Sequence, residues 1–238
     1  MTPVRAAVLA MLVALGALPP KVERLFPNLP HLRPHHKREA LVFIEVPRTK
    51  QFSHVSPVVS DIESRLPQQH QYYDADPVTW VHEGTHYINS QIARQKGKQG
   101  LYLTNGKGVV LDHPQFTLAD LAANIPAEDR RTIFQTYLVD QRQWWNAEPL
   151  YLLNEWVAYG NGCLCRKSLG QTGNTRIDTV RFFLEMEVYI GHLLKMAERD
   201  PGYTGMEELK SFVDWHSKRV REEVGPDDIA LAETFLKK

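Results

Sequence analysis

The segment from Thr79 to Ala93, TWVHEGTHYINSQIA, sets His82 and His86 four residues apart with Glu83 beside the first. On a helix, positions four apart lie about 40° from each other and one turn apart, so both imidazoles face the same way. Rings so placed can each aim a nitrogen at one ion about 2.0–2.1 Å away. Glu83 lies about 100° round from His82, beside such an ion, where a carboxylate can take a proton from water.

The flanks support a helix. Asp76 is a capping residue and Pro77 suits the first helical position, where a missing N–H costs nothing. The glycine-bearing RQKGKQG that follows supplies a stop. Val81, Ile88 and Ile92 share one apolar face, and Trp80, Gly84 and Tyr87 lie on another, so the helix is expected to be buried on two sides. Gly84 in mid-helix costs ~1 kcal/mol against alanine, which predicts another element packed closely there.

Two histidines need a third ligand. Six residues past His86, where one common arrangement places a third histidine, stands Ile92. A glutamate on a later helix is the other common solution. LYLLNEWVAYGNG offers Glu155, in the form Asn-Glu-x-x-x-Tyr. On that helix Glu148, Tyr151, Glu155 and Tyr159 fall within about 80° of one another. An acid-and-tyrosine stripe facing an apolar core would be expensive; facing a metal cleft, it makes sense. Glu148 competes with Glu155 as a ligand on the same stripe. Asp112, His113 and Asp120 fall in no recognised ligand pattern, and His192, flanked by apolar residues, reads as a hydrogen-bonded core histidine.

HEGTH followed by NEWVAY resembles the gluzincin clan of zinc metallopeptidases, in which HExxH pairs with a downstream glutamate, often within NExxxD. The resemblance implies Zn²⁺ as cofactor, with His82, His86 and Glu155 as its ligands and Glu83 as general base. Two departures stand out. The position four after the ligand glutamate, usually a carboxylate, is Tyr159, whose hydroxyl is a candidate either to hold the first histidine or to donate to substrate. Glu155 also follows His86 by 69 residues, more than the short thermolysin-type spacing. Tyr151 and Tyr159, each one turn from Glu155, are the candidate transition-state donors.

The rest of the chain predicts an α+β protein, mostly helical and zincin-like, with a small sheet next to the HExxH helix. ALVFIEVP (39–46) reads as a buried strand, SDIESRLPQ as a short helix, and LYLTNGKGVVLD (101–112) as a hairpin around Asn105-Gly106. The hairpin strands are candidates to offer an edge to an extended peptide. PAEDRRTIFQTYLVDQRQWW is expected to form one helix, and EPLYLLNEWVAYGNG another that stops at its glycines. TVRFFLEMEVYIGHLLKMAERD, MEELKSFVDWHSKRVREEV and PDDIALAETFLKK complete a helical C-terminal half.

The N-terminus reads differently. In residues 1–18 a single positive charge, Arg5, precedes an apolar run from Ala6 to Leu18, too short for the ~20 residues a spanning helix needs; it is expected to be a secretory signal peptide. Residues 19–38, rich in proline and carrying His31, His35 and His36, are expected to run extended, leaving 39–238 as the metallopeptidase domain. The 28 basic and 28 acidic side chains balance, so no global field favours nucleic acid, and no stable membrane anchor is expected. Cys163 and Cys165 are too close for an unstrained bridge. The expectation is a secreted or periplasmic zinc metallopeptidase with a peptide or protein substrate. The alternatives are a zincin-like binding protein without activity and a zinc amide hydrolase acting on cell-wall peptides.

Overall fold

The computed structural model describes residues 41–72 and 75–236. The expected signal and proline-rich segments, with His31, His35 and His36, lie outside the described residues. In chain order the elements are β1 (Ile44–Glu45), α1 (Pro57–Glu63), α2 (Pro77–Lys96), β2 (Gln99–Tyr102), β3 (Lys107–Leu111) and α3 (Leu118–Asn124). There follow a single 3₁₀ turn (Ala127–Asp129), a π-helical turn (Gln135–Asp140), α4 (Arg142–Trp145), α5 (Tyr151–Ser168), α6 (Ile177–Ala197), α7 (Met206–Val224) and α8 (Pro226–Leu236). The architecture is mostly helical with one antiparallel sheet of order β1-β3-β2. No helix among the described residues is long and apolar enough to cross a membrane.

Local chemistry explains why α2 forms where it does. The Asp76 side chain accepts from the Thr79 backbone N–H, Pro77 opens the helix, and Gly97 ends it in a left-handed conformation (φ 67°). Its buried face, Val78, Val81, Ile88 and Ile92, packs with Val59, Ile62 and Leu66 and with Tyr102 of β2. Full burial of each such aliphatic side chain contributes about 1.5–3 kcal/mol. Gly84 is the close approach expected: a Cβ there would lie 2.6 Å from Ile62 Cγ2.

Helix α5 runs through the larger core. Leu152, Leu153, Trp156, Val157 and Cys163 are buried against Phe183 and Tyr189 of α6 and Phe212 of α7. The expected stop at its glycines is wrong; the helix continues to Ser168. Gly160 and Gly162 are small because neighbours crowd them. A Cβ at Gly160 would lie 2.7 Å from His216 Nε2, and one at Gly162 would lie 3.2 Å from Thr179 Cγ2. Both cysteines are free and buried within this helix.

Three further expectations need correction. The 39–46 strand is only two residues long and is not buried; Val42 is 72% exposed. The helix expected after Ile125 breaks into the 3₁₀ turn, the π turn and α4, because α6 holds the connecting loop: Tyr189 Oη accepts from Arg131 N and Glu185 Oε2 from Ile133 N. The hairpin offers no edge to a peptide. β3 is the central strand, β2 is buried throughout, and Tyr102 N–H and C=O are taken by Asn89 and Asn161.

Candidate metal centre

Helices α2 and α5 bring His82, His86 and Glu155 together across the 68 residues between His86 and Glu155. The Nε2 atoms of His82 and His86 lie 3.0 Å apart. Glu155 Oε2 lies 3.5 Å from the first and 3.4 Å from the second. Ligands of a tetrahedral ion at 2.0–2.2 Å are separated by about 3.3–3.6 Å. Two edges of this triangle match, and the His–His edge is a few tenths of an ångström shorter. A point about 2.05 Å from all three atoms lies ~0.7 Å outside their plane, as a tetrahedral ion does.

The chemistry of the donor set fits a cation as well as the geometry does. Glu155 is 5% exposed, and its Oε2 is buried with no hydrogen-bond partner. An orphaned carboxylate oxygen inside a protein is costly unless something positive meets it. Burial pushes the Glu155 carboxyl up, but the adjacent His82 and His86 outweigh it and hold the group at about 2. Oε2 has no hydrogen-bond partner, so the two rings act on it through charge rather than through an imidazole N–H.

A chain of amides sets the His86 tautomer. The backbone N–H of Tyr102 can only donate, and it donates to Asn89 Oδ1 (2.5 Å). Asn89 therefore turns its Nδ2 to Asn154 Oδ1 (2.6 Å). The same oxygen faces His86 Nδ1 at 2.9 Å, so His86 must donate there. Its Nε2 then carries a lone pair aimed at Glu155 and His82, as a metal ligand requires. Burial lowers the His86 pKa, but the opposing pull of Glu155, joined by Asn154 and Glu83, raises it overall.

Around the triangle stand three tyrosines. Tyr151 donates to Glu155 Oε1 (2.5 Å) and also meets Gln141; its ring is stacked on Trp145 at 4.9 Å. Tyr151 thus braces the ligand carboxylate. Tyr159 lies edge-on to the His82 ring at 4.6 Å, while its hydroxyl pairs with Tyr137 at 2.6 Å. The hydroxyl does not hold the first histidine. Burial pushes the Tyr159 phenol up to about 12 and those of Tyr151 and Tyr137 higher still, so all three stay protonated donors. Glu83 is exposed, and its negative charge contributes to the shifts of His86, Tyr151 and Tyr159.

The remaining candidates lie elsewhere. Glu148 is exposed and precedes α5, so it is no ligand; Asp120 caps α3 with Thr117. Asp112 pairs with Lys98. His113 is half-buried, and burial lowers its pKa. His192 is half-buried rather than core and bonds Asp129 at 2.8 Å. Sequence reasoning missed Asn89, Tyr137 and Gln141. Asn154 was visible in the Asn-Glu pair, but Tyr137 gave no signal, since a π turn has no sequence signature of its own.

Comparison of the chain with protein-family models, with curated proteins and with solved structures found no match.

Proposed function

We propose that this protein is a zinc-dependent hydrolase of peptide bonds with a zincin-like active site, acting outside the cytoplasm. The observation that carries this reading is the triangle of His82 Nε2, His86 Nε2 and the orphaned Glu155 Oε2, whose edges suit one tetrahedral ion. Nitrogen and carboxylate ligands in that number favour zinc and leave one position open. When bound, zinc would supply Lewis acidity toward water and the scissile carbonyl.

The chain's own residues do the rest. Glu83 is exposed and its charge is felt at His86, Tyr151 and Tyr159, so its carboxylate is the group to accept a proton from the attacking water and pass it to the leaving amine. Asn154 keeps the His86 lone pair directed inward. Tyr151 donates to the outer oxygen of Glu155, which leaves the inner oxygen for the ion. The Tyr137–Tyr159 hydroxyl pair has two protons and one internal bond, so one O–H remains to stabilise the developing oxyanion. Tyr159, the more exposed of the two, is the better placed to present it.

Glu83→Gln tests the reading. It should abolish cleavage of a fluorogenic peptide library while zinc content stays that of the parent. Undiminished cleavage by Glu83→Gln would remove the proposed base.

A further inference from the structure

At the far end of α5 a cavity of about 240 Å³ is lined by Val58, Thr104, Leu164, Lys167, Arg219 and Glu223, among others. Lys167 follows Glu155 by twelve residues on the same helix, ~18 Å along its axis, so this cavity is separate from the metal centre. Arg219 reaches it from α7 over the Trp215 ring. One guanidinium nitrogen, Nη2, donates to Thr104 Oγ1 at 2.5 Å, and the other, Nη1, is buried with no partner. Among the described residues Lys167 Nζ bonds only the Val224 carbonyl, at 3.3 Å. Neither cation forms an ion pair among the described residues, in contrast to Arg221, which pairs with Glu187, and Arg65, which pairs with Asp61.

The Thr104 contact at Nη2 and the Trp215 ring leave the lost hydration of Nη1 uncompensated. Burial lowers the Arg219 pKa, and the opposing pull of Glu223, Tyr102 and Asp61 does not make up the difference. We infer that the cavity between the hairpin turn, the C-terminal turn of α5 and α7 is a binding site for a small organic carboxylate, held by Arg219 and Lys167. The guanidinium fork matches a planar carboxylate. Glu223 at the rim opposes a doubly charged ion and so favours a monoanion. Pro57, Val58 and Leu164 form an apolar wall that suits a short hydrocarbon tail. The volume is below the ~300–1,000 Å³ of drug-sized sites, which restricts the ligand to a few carbons.

The test is calorimetric titration of the whole protein with butyrate and, separately, with inorganic phosphate, at matched ionic strength. Butyrate should bind saturably with one site per chain and should still bind in excess zinc chelator, which separates this cavity from the metal centre. Arg219→Gln should weaken butyrate about tenfold or more, and Lys167→Gln should weaken it less. Lys167 is exposed, so its variant carries the comparison if Arg219→Gln does not fold. Absence of saturable butyrate binding, saturation by phosphate alone, binding lost with the chelator, or affinity unchanged by the variants would each overturn the assignment.

Discussion

Asn154 shows how much one amide controls at this site. Its oxygen takes two protons, from Asn89 Nδ2 and His86 Nδ1, and neither has another acceptor among the described residues. Asn154→Ala should therefore cost about 10–100-fold in zinc affinity, read by competition with a chromogenic chelator; an unchanged affinity would show that the His86 tautomer is set elsewhere. The raised His86 pKa fixes the sign of the pH effect. A proton on His86 must leave before the ring can ligate, so zinc affinity should fall as the pH drops through that raised value, above the usual ~6.5 for histidine. The histidine pair of the candidate metal centre was legible in the sequence because helical spacing is enough to bring His82 and His86 together. Asn89 and Tyr137 were not legible, since their roles depend on contacts between elements that no local pattern records.

The glycines of α2 and α5 show the same contrast between elements. Gly84 was readable as a close contact because it interrupts an otherwise continuous helix, and Ile62 is what it meets. Gly160 and Gly162 read as a helix stop because two glycines near a helix end usually are one; the packing of His216 and Thr179 against them decided otherwise. Alanine at position 84 would gain ~1 kcal/mol in helix propensity but force a Cβ to 2.6 Å from Ile62. Overpacking of that kind costs about 1–3 kcal/mol, so Gly84→Ala should lower stability in urea melts. A stabilised Gly84→Ala would mean that α1 yields more easily than its buried face implies. The broken helix after Ile125 belongs here too: Pro and acidic residues mark a start, but Tyr189 and Glu185 take backbone N–H groups that a continuous helix would use.

At the level of the whole molecule, two buried polar side chains lie within the helical half, one bonded across elements and one unpartnered. Arg166, fully buried, binds Asp228 at 2.6 Å and the carbonyls of Gly173 and Thr175, fastening α8 and the α5–α6 loop to α5. Asp228→Ala leaves that cation unpaired and should cost about 3–5 kcal/mol in a denaturant melt. His216 is fully buried among Trp156, Phe212 and Phe183, with neither ring nitrogen partnered. Burial, and secondarily Arg219, hold its pKa well below the ordinary value. The unfolded chain takes up this proton near pH ~6.5 and the folded chain does not. Stability is thus complete above that pH and declines below it, by up to about 1.4 kcal/mol per unit. His86, with its raised pKa, acts in the opposite sense, so the comparison of wild type with His216→Phe isolates the effect. A parallel pH dependence in the two proteins would contradict it.

The mostly helical class and the sheet beside α2 could be read from periodicity and turn residues. The depth of α5 and the exposure of the 41–46 segment could not, because both depend on which neighbours arrive. Helices α2 and α5 converge on three side chains that could hold one cation, and quantitative metal analysis of the parent chain and its Glu155→Ala variant addresses that most directly. The parent should hold about one zinc per chain after dialysis, and the variant, still folded by circular dichroism, should lose it. Full zinc content in a folded Glu155→Ala protein, or a parent that holds none when zinc is supplied, would contradict the metal centre.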